Sequence, residues 1–271
     1  MVLLVHNSVL PHCRKIRILM SEKKMLFVLK EENPWMLSKD IMKINPAGEL
    51  PVFIYDGNII SGNYAITEFL EETYTQNRLI NGNNKERAEV RRLIDWFDNK
   101  FNREVYQYIA GEKIYKRFAL KQPPESRRIK AGINNLRFHL EYIDWITERN
   151  NYLAGNNFSL ADISAAAQLS IIDYLGDVPW EDYKNAKLWY SKIKSRPSFK
   201  DILNDRFKGI YPSTHIMTWI FSMRYLLFLV TVFLSSCSSW GGKGQIIYHW
   251  ERERTGVQKF SRDHSECLKQ A

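Results

Sequence analysis

The chain has 271 residues, of which 45% are hydrophobic and 25% charged, an ordinary balance for a soluble globular protein with one large or two smaller domains. Its formal net charge is +9, but acidic and basic residues are interleaved, as in KER at 85–87, which argues against a nucleic-acid partner. Three cysteines, Cys13, Cys237 and Cys267, are too few and too scattered for a disulfide framework or a zinc site, so we expect no bound metal and a cytoplasmic location.

The first 75 residues predict a small α/β domain. Residues 2–5 form a short apolar run, which predicts a buried first strand rather than a signal peptide because no basic leader precedes it. A helix is expected over 13–24, where apolar residues recur at helical spacing, and a second strand over 27–29. The Asn-rich segment 75–84 then predicts a linker.

The segment 45–66 (NPAGELPVFIYDGNIISGNYAI) contains the most distinctive pattern of this domain. Two apolar runs joined by Asp56 and Gly57 predict a β-hairpin, because glycine readily takes the positive φ that the turn needs. Proline is a poor strand residue, so Pro51 at the mouth of the first run predicts a cis bond after Leu50. A helix start is expected after the hairpin, at 61–63.

From residue 85 onward the pattern is helical. Apolar residues recur every three or four positions over 90–108 and again over 129–143, which predicts two long amphipathic helices. Pro123 and Pro124 separate the two stripes, so we expect an antiparallel pair. These helices predict an all-helical second domain at 85–212.

Ser159 and Asp162 open the next predicted helix. Ser159 is a good N-cap residue, and Asp162, three positions later, can accept the backbone N–H of the cap in a relative of the capping box. The alanines at 165–167 are small enough to let this helix pass through a core. We therefore interpret Ser159 and Asp162 as folding residues.

The remaining segment, 213–271, has a different character. Arg224 precedes an apolar run at 225–234, and a Leu-Ser-Ser-Cys box ends at Cys237, as in a bacterial lipoprotein signal peptide. Such signals act at an N-terminus, and the apolar run is short for a membrane span. We interpret the segment as a fused or frameshifted reading frame; the alternative is a genuine tail with a membrane-proximal segment at 223–237.

The hairpin that contains Pro51 and the helix start at Ser159 and Asp162 resemble the glutathione S-transferase superfamily. The resemblance implies a thioredoxin-like N-terminal domain at 1–75 followed by the all-helical C-terminal domain at 85–212. It also implies a homodimer in which the first domain of one subunit contacts the long helices of the other.

Three further strings are similar to one bacterial branch of this superfamily, the FzlA branch. They are RRLIDWFDNKF at 91–101, DYLGDVPW at 173–180 and SRPSF at 195–199. Members of this branch are cell-division factors that bind FtsZ filaments, which implies FtsZ as a partner. For the implied homodimer, we expect Trp96, Phe97 and the helix after residue 62 at the contact.

The resemblance also indicates where the chemistry of a transferase would lie. In the superfamily, a Ser or Cys after the first strand donates a hydrogen bond to the glutathione sulfur and lowers its pKa. Leu10 occupies this position and has no hydrogen to donate. The remaining candidate catalytic residues are Cys13 and Ser8, with His12 nearby. Cys13 lies at a helix start, whose dipole favours a thiolate. A lone cysteine at this position also suits a simple packing role.

The candidate glutathione-binding residues are Leu50, Pro51, Gly62 and Asn63. The resemblance implies that Leu50 and Pro51 still contact the cysteinyl part of glutathione. Gly62 and Asn63, however, replace the acidic or Gln residue and the Ser that hold the γ-glutamyl group, so the carboxylate that pairs with the ligand amine is missing. Asn63 can still cap a helix and bind a carboxylate.

Three functional hypotheses follow. The first is a non-catalytic FtsZ-binding factor, for which glutathione is at most a ligand and no cofactor is tightly bound. The second is a glutathione-dependent transferase or reductase that uses Cys13 or Ser8. A third is ligand storage in an apolar cleft lined by Trp96, Tyr106 and Tyr108.

Overall fold

A computed structural model describes residues 2–213, and every structural statement below concerns these residues; the predicted lipoprotein-like segment lies outside them, apart from Ser213. A four-stranded sheet lies in the first part of the chain. Its strands are β1 (Val2–His6), β2 (Val28–Glu31), β3 (Val52–Tyr55) and β4 (Asn58–Ser61). Their order is β2-β1-β3-β4, with β1 and β2 parallel and β3 antiparallel to both of its neighbours.

The predicted hairpin and the predicted cis bond are both confirmed. Asp56 and Gly57 join β3 to β4 with φ values of 47° and 79°, the left-handed pair that a tight two-residue hairpin requires. The peptide bond between Leu50 and Pro51 is cis.

Three helices accompany the sheet, and the later part of the described chain is helical. The first three are α1 (Pro11–Glu22), α2 (Lys39–Ile44) and α3 (Asn63–Thr73). The later ones are α4 (Asn84–Asp95), α5 (Gln107–Ala110), α6 (Ser126–Arg149), α7 (Leu160–Tyr174), α8 (Lys184–Lys194) and α9 (Lys200–Asn204). Short 3₁₀ turns lie at Thr75–Asn77, Trp180–Asp182 and Pro197–Phe199. The predicted fold class, an α/β domain followed by an all-helical domain, is confirmed.

Several element boundaries differ from the expectation, among them those of α1 and of the first long helix. α1 begins at Pro11 rather than at residue 13, because proline lacks an N–H and has the φ that the first helical position needs. The first long helix also extends beyond the predicted stripe, since π-helical turns at Trp96–Tyr106 and Gly111–Lys116 continue α4 and α5.

Helix α7 is the centre of the fold. All of its residues are buried, and it packs against α1 on one side and against α4 and the π-helical turns on another. Asp162 accepts hydrogen bonds from the Ser159 N–H (2.9 Å) and hydroxyl (3.0 Å), so the predicted capping interaction is confirmed. The same carboxylate also accepts from the Leu153 N–H and the Trp189 indole, both at 2.9 Å.

Buried ion pairs fix α1 to the rest of the chain. Asp205 accepts from Arg17 (2.9 Å) and lies 3.2 Å from Arg14, and the Lys23 ammonium lies 2.7 Å from a Glu71 oxygen. Arg14 also donates to the Ser8 carbonyl at 2.7 Å, so these contacts hold both ends of α1, and the loop that precedes it, in a defined position. No helix among residues 2–213 is long and apolar enough to cross a membrane.

Candidate functional site

The start of α3, the loop before β3 and the turns that follow α4 enclose a cavity of about 260 Å³. The main side chains that line it are His12, Glu49, Leu50, Asn63, Tyr64, Glu68, Arg91, Asp95 and Asp98. The cavity therefore contains two of the four predicted glutathione-binding residues, Leu50 and Asn63. Pro51 follows Leu50 in the chain and Gly62 is the N-cap residue of α3, so both flank it.

Asp98 is the buried charge of this cavity. Its side chain is only 8% exposed, and one oxygen, Oδ2, accepts from the Lys15 ammonium at 2.6 Å and from the Asn63 amide nitrogen at 2.7 Å. The His12 ring nitrogen Nε2 lies 3.0 Å from the backbone carbonyl of Asp98. Residues from α1, α3 and the long helix therefore meet at one carboxylate.

Two acceptor atoms of this cluster are unused. The second carboxylate oxygen of Asp98, Oδ1, and the side-chain oxygen of Asn63 are both buried, and neither has a hydrogen-bond partner within the part of the chain that the structure describes. Buried acceptors are normally satisfied, and one left without a donor costs about 1–3 kcal/mol. Two of them at one cavity indicate a site that is incomplete without a donor.

The sulfur side of the site contains no activated group. Leu10 precedes α1 as its N-cap residue and offers only an apolar side chain. Cys13 is completely buried, and burial raises its thiol pKa to about 12, against the smaller lowering by the Asn7 backbone and Arg17. The expectation of a lowered Cys13 pKa is therefore wrong, because desolvation outweighs the helix start.

Ser8 and Tyr106 are two of the hydroxyl groups near Leu10. Ser8 lines a separate cavity of about 820 Å³, and its backbone carbonyl accepts from Arg14 at 2.7 Å. Tyr106 donates its hydroxyl hydrogen to the Val9 carbonyl at 2.9 Å, and burial raises its pKa. The arrangement of Tyr106 therefore does not favour ionisation of its hydroxyl.

An apolar cleft of about 500 Å³ lies beside Leu10. Trp35, Tyr106 and Tyr115 are among the residues that line it, so Tyr106 lies where the ligand-storage hypothesis expects it, and storage itself stays a prediction. The other two predicted aromatic residues lie elsewhere. Trp96 packs on Tyr142, with ring centroids 4.8 Å apart, and Tyr108 packs against Gly132 of α6.

No group of three or more His, Cys, Asp or Glu side chains among residues 2–213 is arranged to hold a metal ion. The electrostatics of the cavity come instead from side-chain charges. Four carboxylates and the Arg91 guanidinium line it, and Arg91 pairs with Glu68 at 2.9 Å.

The sequence analysis did not identify Asp98 and Lys15 as site residues. A signal for them was present: Asp98 lies four positions after Ile94 and three before Phe101, and Lys15 lies four before Leu19, so each ionisable group shares a helix face with buried apolar residues. An ionisable residue in such a position needs a buried partner. The sequence alone could not indicate that the two are each other's partner, 83 positions apart.

Comparison with known proteins gives concordant matches. The family model for the glutathione S-transferase N-terminal domain matches residues 11–73, and the model for the C-terminal domain matches residues 123–197. FtsZ-localized protein A from Caulobacter vibrioides is 41% identical over 214 residues, which cover 78% of this chain and 94% of that protein.

Two solved structures are also similar to the chain. A glutathione S-transferase from Rhodospirillum rubrum F11 has a TM-score of 0.78 and 44% identity, and the match covers 80% of this chain and 98% of that one. FzlA from C. crescentus has a TM-score of 0.77 and 40% identity, and the match covers 79% of this chain and 97% of that one.

Proposed function

Because the chain belongs to the glutathione S-transferase superfamily and, within it, to the FzlA branch, we propose that it is a non-catalytic cell-division factor that binds FtsZ filaments. The observation that carries the proposal is the 41% identity to FtsZ-localized protein A over 94% of that protein's length. A cytoplasmic location is part of the same proposal, because it follows from binding to FtsZ.

The absence of catalysis is proposed from the sulfur side of the site. A transferase must hold glutathione as a thiolate, which requires a hydrogen-bond donor or a positive charge at the sulfur. Leu10 has no donor, the pKa of Cys13 is raised to about 12, and the Tyr106 hydroxyl is already committed to Val9. The site is therefore better suited to hold a ligand than to activate one.

Glutathione is proposed as a ligand and not as a substrate. The turn at Leu50 and Pro51 and the start of α3 at Gly62 and Asn63 border a cavity large enough for part of a tripeptide. Main-chain groups of that turn and of the helix start are the proposed contacts.

The proposed oligomer is a homodimer formed through α3, α4 and α6. Phe138 and Trp145 of α6 are 53% and 55% exposed, and with Trp96 and Tyr142 they form a continuous aromatic surface. Phe97 does not belong to it: it is fully buried in the core, so the expectation that it lies at the dimer contact is wrong. Replacing Phe138 and Trp145 together by Glu should convert the dimer to a monomer in sedimentation-velocity measurements.

Co-sedimentation with assembled FtsZ tests the main proposal. The full chain is pelleted with FtsZ polymers at increasing concentration, with and without glutathione, and a catalytically active superfamily member serves as the control. Saturable pelleting that glutathione does not change is the expected result. Absence of pelleting at micromolar protein would overturn the proposal.

The second candidate function is a glutathione-dependent transferase or reductase. The turn at Leu50 and Pro51 and the cavity beside α3 favour it. It predicts conjugation of glutathione to a simple aryl halide, or reduction of a glutathione mixed disulfide, with loss of the activity in Cys13→Ser or Ser8→Ala. Wild-type rates equal to the uncatalysed rate would exclude it for these substrates.

The domain division is retained as a proposal: a thioredoxin-like domain at 1–75, an all-helical domain at 85–212 and a fused or frameshifted segment at 213–271. Sequencing of the gene and of its transcript across codons 213–223 tests the last part. A single uninterrupted frame in independent clones would contradict a frameshift.

A further inference from the structure

We propose that the loop at 78–83 contains a self-modification site: Asn81 deamidates through attack by the Gly82 backbone nitrogen, and the product weakens the junction of three helices. The inference concerns the chemistry of the chain itself and does not depend on glutathione or on FtsZ binding. Asn81 and Gly82 form the one Asn-Gly pair of the 271-residue sequence. Asparagine followed by glycine is the most reactive arrangement for this chemistry, because glycine has no Cβ to obstruct the attack.

The reaction needs no reagent other than water. The Gly82 nitrogen gives up its hydrogen as a proton and bonds to the side-chain carbonyl carbon of Asn81, and the amide nitrogen takes up a proton and leaves as ammonia. Water then adds to one of the two carbonyl carbons of the resulting succinimide ring and breaks the bond from that carbon to the ring nitrogen. The product at position 81 is an aspartate or an isoaspartate, in which the main chain runs through the former side chain.

The structure leaves both reacting groups accessible. Asn81 and Gly82 are exposed, and they line a cavity of about 330 Å³ between their loop and the loop at 154–159. The Gly82 N–H has no hydrogen-bond partner among residues 2–213, so no contact has to break before this nitrogen reacts. The Asn81 amide makes one hydrogen bond, to the Arg78 carbonyl three positions earlier.

Asn7 illustrates the protected alternative. It precedes Ser8, whose side chain is also small, but its amide donates to the Glu32 carbonyl at 2.9 Å and its side-chain oxygen accepts the Val9 N–H at 3.0 Å. Asn7 is also only 9% exposed. Because its side chain is held at both polar atoms, we expect Asn7 to react more slowly than Asn81.

The fold requires glycine at position 82. Gly82 has a φ of 96°, which residues with a side chain rarely adopt, and a Cβ at this position would collide with the Glu86 carboxylate. Glu86 is itself fixed, because it accepts the Asn83 N–H at 2.8 Å in the capping box of α4. The reactive pair can therefore be removed without backbone strain only by a change at residue 81.

The loop connects the end of α3, the start of α4 and the start of α7. Leu79 and Ile80 donate their N–H groups to Glu71 of α3 at 2.9 and 3.0 Å. The Leu79 carbonyl accepts from Leu160, the first residue of α7, at 3.0 Å, and Asn83 caps α4. An isoaspartate at position 81 adds a methylene carbon to the main chain between these fixed points, so the contacts on the two sides can no longer all be kept.

Deamidation also removes a hydrogen-bond donor from the loop. The amide nitrogen of Asn81 donates to the Arg78 carbonyl, whereas an ionised carboxylate can only accept, so two acceptors would face each other. We expect the unfolding equilibrium constant of the modified protein to be roughly fivefold higher, as for the loss of one hydrogen bond.

Ageing of the full chain at mildly alkaline pH tests the site. Peptide mapping by mass spectrometry follows each asparagine, and an isoaspartyl methyltransferase with labelled S-adenosylmethionine measures isoaspartate. We expect position 81 to be modified first. Asn81→Gln should remove most of the label, because the longer side chain has to close a larger ring.

A synthetic peptide of residues 76–86 gives the rate of the reaction without the fold. If the peptide is modified while Asn81 of the protein is not, the loop protects this residue and the inference is overturned. Modification of Asn7 before Asn81 would overturn it as well.

Urea denaturation tests the effect on the helix junction. Aged wild type is compared with fresh wild type and with Asn81→Asp, which introduces the carboxylate without lengthening the main chain. Asn81→Gln keeps the amide donor, so it is the matched control, and ageing should leave its unfolding equilibrium constant unchanged. Equal stability of fresh wild type and of aged wild type modified at position 81 would overturn the proposed weakening of the junction.

Discussion

Two buried aspartates show how differently this fold treats a carboxylate. Asp162, at the start of α7, is fully buried and accepts four hydrogen bonds, two of them from Ser159. Asp98 is almost as buried, yet both of its side-chain partners, Lys15 and Asn63, contact the same oxygen and leave the other unused. The first carboxylate is satisfied within the fold, whereas the second has one oxygen without a donor among residues 2–213.

The two aspartates differ in how far along the chain their hydrogen-bond donors lie, and this separation explains the difference. Asp162 receives three of its four hydrogen bonds from residues within nine positions, so the local chain satisfies it as the helix forms. Asp98 depends on residues 35 and 83 positions away, on two other helices. A buried carboxylate whose hydrogen-bond donors are close in sequence indicates a role in folding. A buried carboxylate beside a cavity, with distant partners and an oxygen that lacks a donor, indicates a role in binding.

Removal of the Asp162 carboxylate is expected to have the largest effect on the free energy of unfolding. Asp162→Ala leaves the N–H groups of Leu153, Ser159 and Trp189 buried without an acceptor, and we expect a loss of about 4 kcal/mol in the free energy of unfolding. Urea denaturation followed by circular dichroism measures it. Ser159→Ala, which removes only the hydroxyl, should cost about 1 kcal/mol. Comparable losses for the two variants would show that the carboxylate is not the centre of this cluster.

Buried histidines extend the comparison to pH. His139 is fully buried, takes the indole N–H of Trp96 at Nδ1 and lies 3.2 Å from Glu104 at Nε2, and burial lowers its pKa to about 4 although Glu104 opposes the shift. The unfolded chain takes up this proton first, near its ordinary pKa of 6.5. Stability should therefore fall between about pH 6.5 and pH 4, by roughly 3 kcal/mol from this residue.

His139→Gln isolates this contribution. Glutamine can accept from Trp96 and donate to Glu104 but does not titrate. The loss of unfolding free energy between pH 7 and pH 4 should therefore be smaller by roughly 3 kcal/mol in this variant. His6, whose pKa burial also lowers to about 4, continues to titrate in the same variant and serves as the internal control. An unchanged pH dependence would mean that the pKa of His139 is not lowered in the folded protein.

The cluster of Asp98, Lys15 and Asn63 should respond differently when its side chains are replaced. Lys15→Met leaves Asp98 with only the Asn63 amide, and we expect a loss of about 2 kcal/mol. The double variant Lys15→Met, Asp98→Leu should recover much of that loss, because replacing both buried charges by apolar groups is often nearly neutral. Denaturation of the two variants measures the difference. A double variant as unstable as Asp162→Ala would show that Asp98 is a folding residue, and the contrast between the two aspartates would fail.

The same contrast between local and long-range partners separates what the sequence could predict from what it could not. The hairpin at Asp56 and Gly57 and the cap at Asp162 were predictable, because each depends on residues a few positions apart whose turn and cap preferences are strong. The pairing of Lys15 with Asp98 was not, since many ionisable residues are equally distant in the chain and only the packed helices select one. The pKa of Cys13 was predicted in the wrong direction for a related reason: the helix start is visible in the sequence, and the depth of burial is not.

The smallest expected effect concerns the sulfur side of the cavity. Leu10 is half-buried between two apolar clusters, so Leu10→Ser should lower the free energy of unfolding by only about 1 kcal/mol. If glutathione binds with its sulfur beside residue 10, as in the superfamily, the new hydroxyl should leave the affinity for glutathione nearly unchanged. It should, however, lower the pKa of the bound thiol by about one unit, because it donates a hydrogen bond to the thiolate. Thiolate absorbance of bound glutathione as a function of pH measures the shift.

Leu10→Ala, which removes the same apolar contacts without adding a donor, controls for the altered packing. A shift that also appears in the alanine variant would come from solvent entry, and no shift in either variant would mean that residue 10 does not face the sulfur.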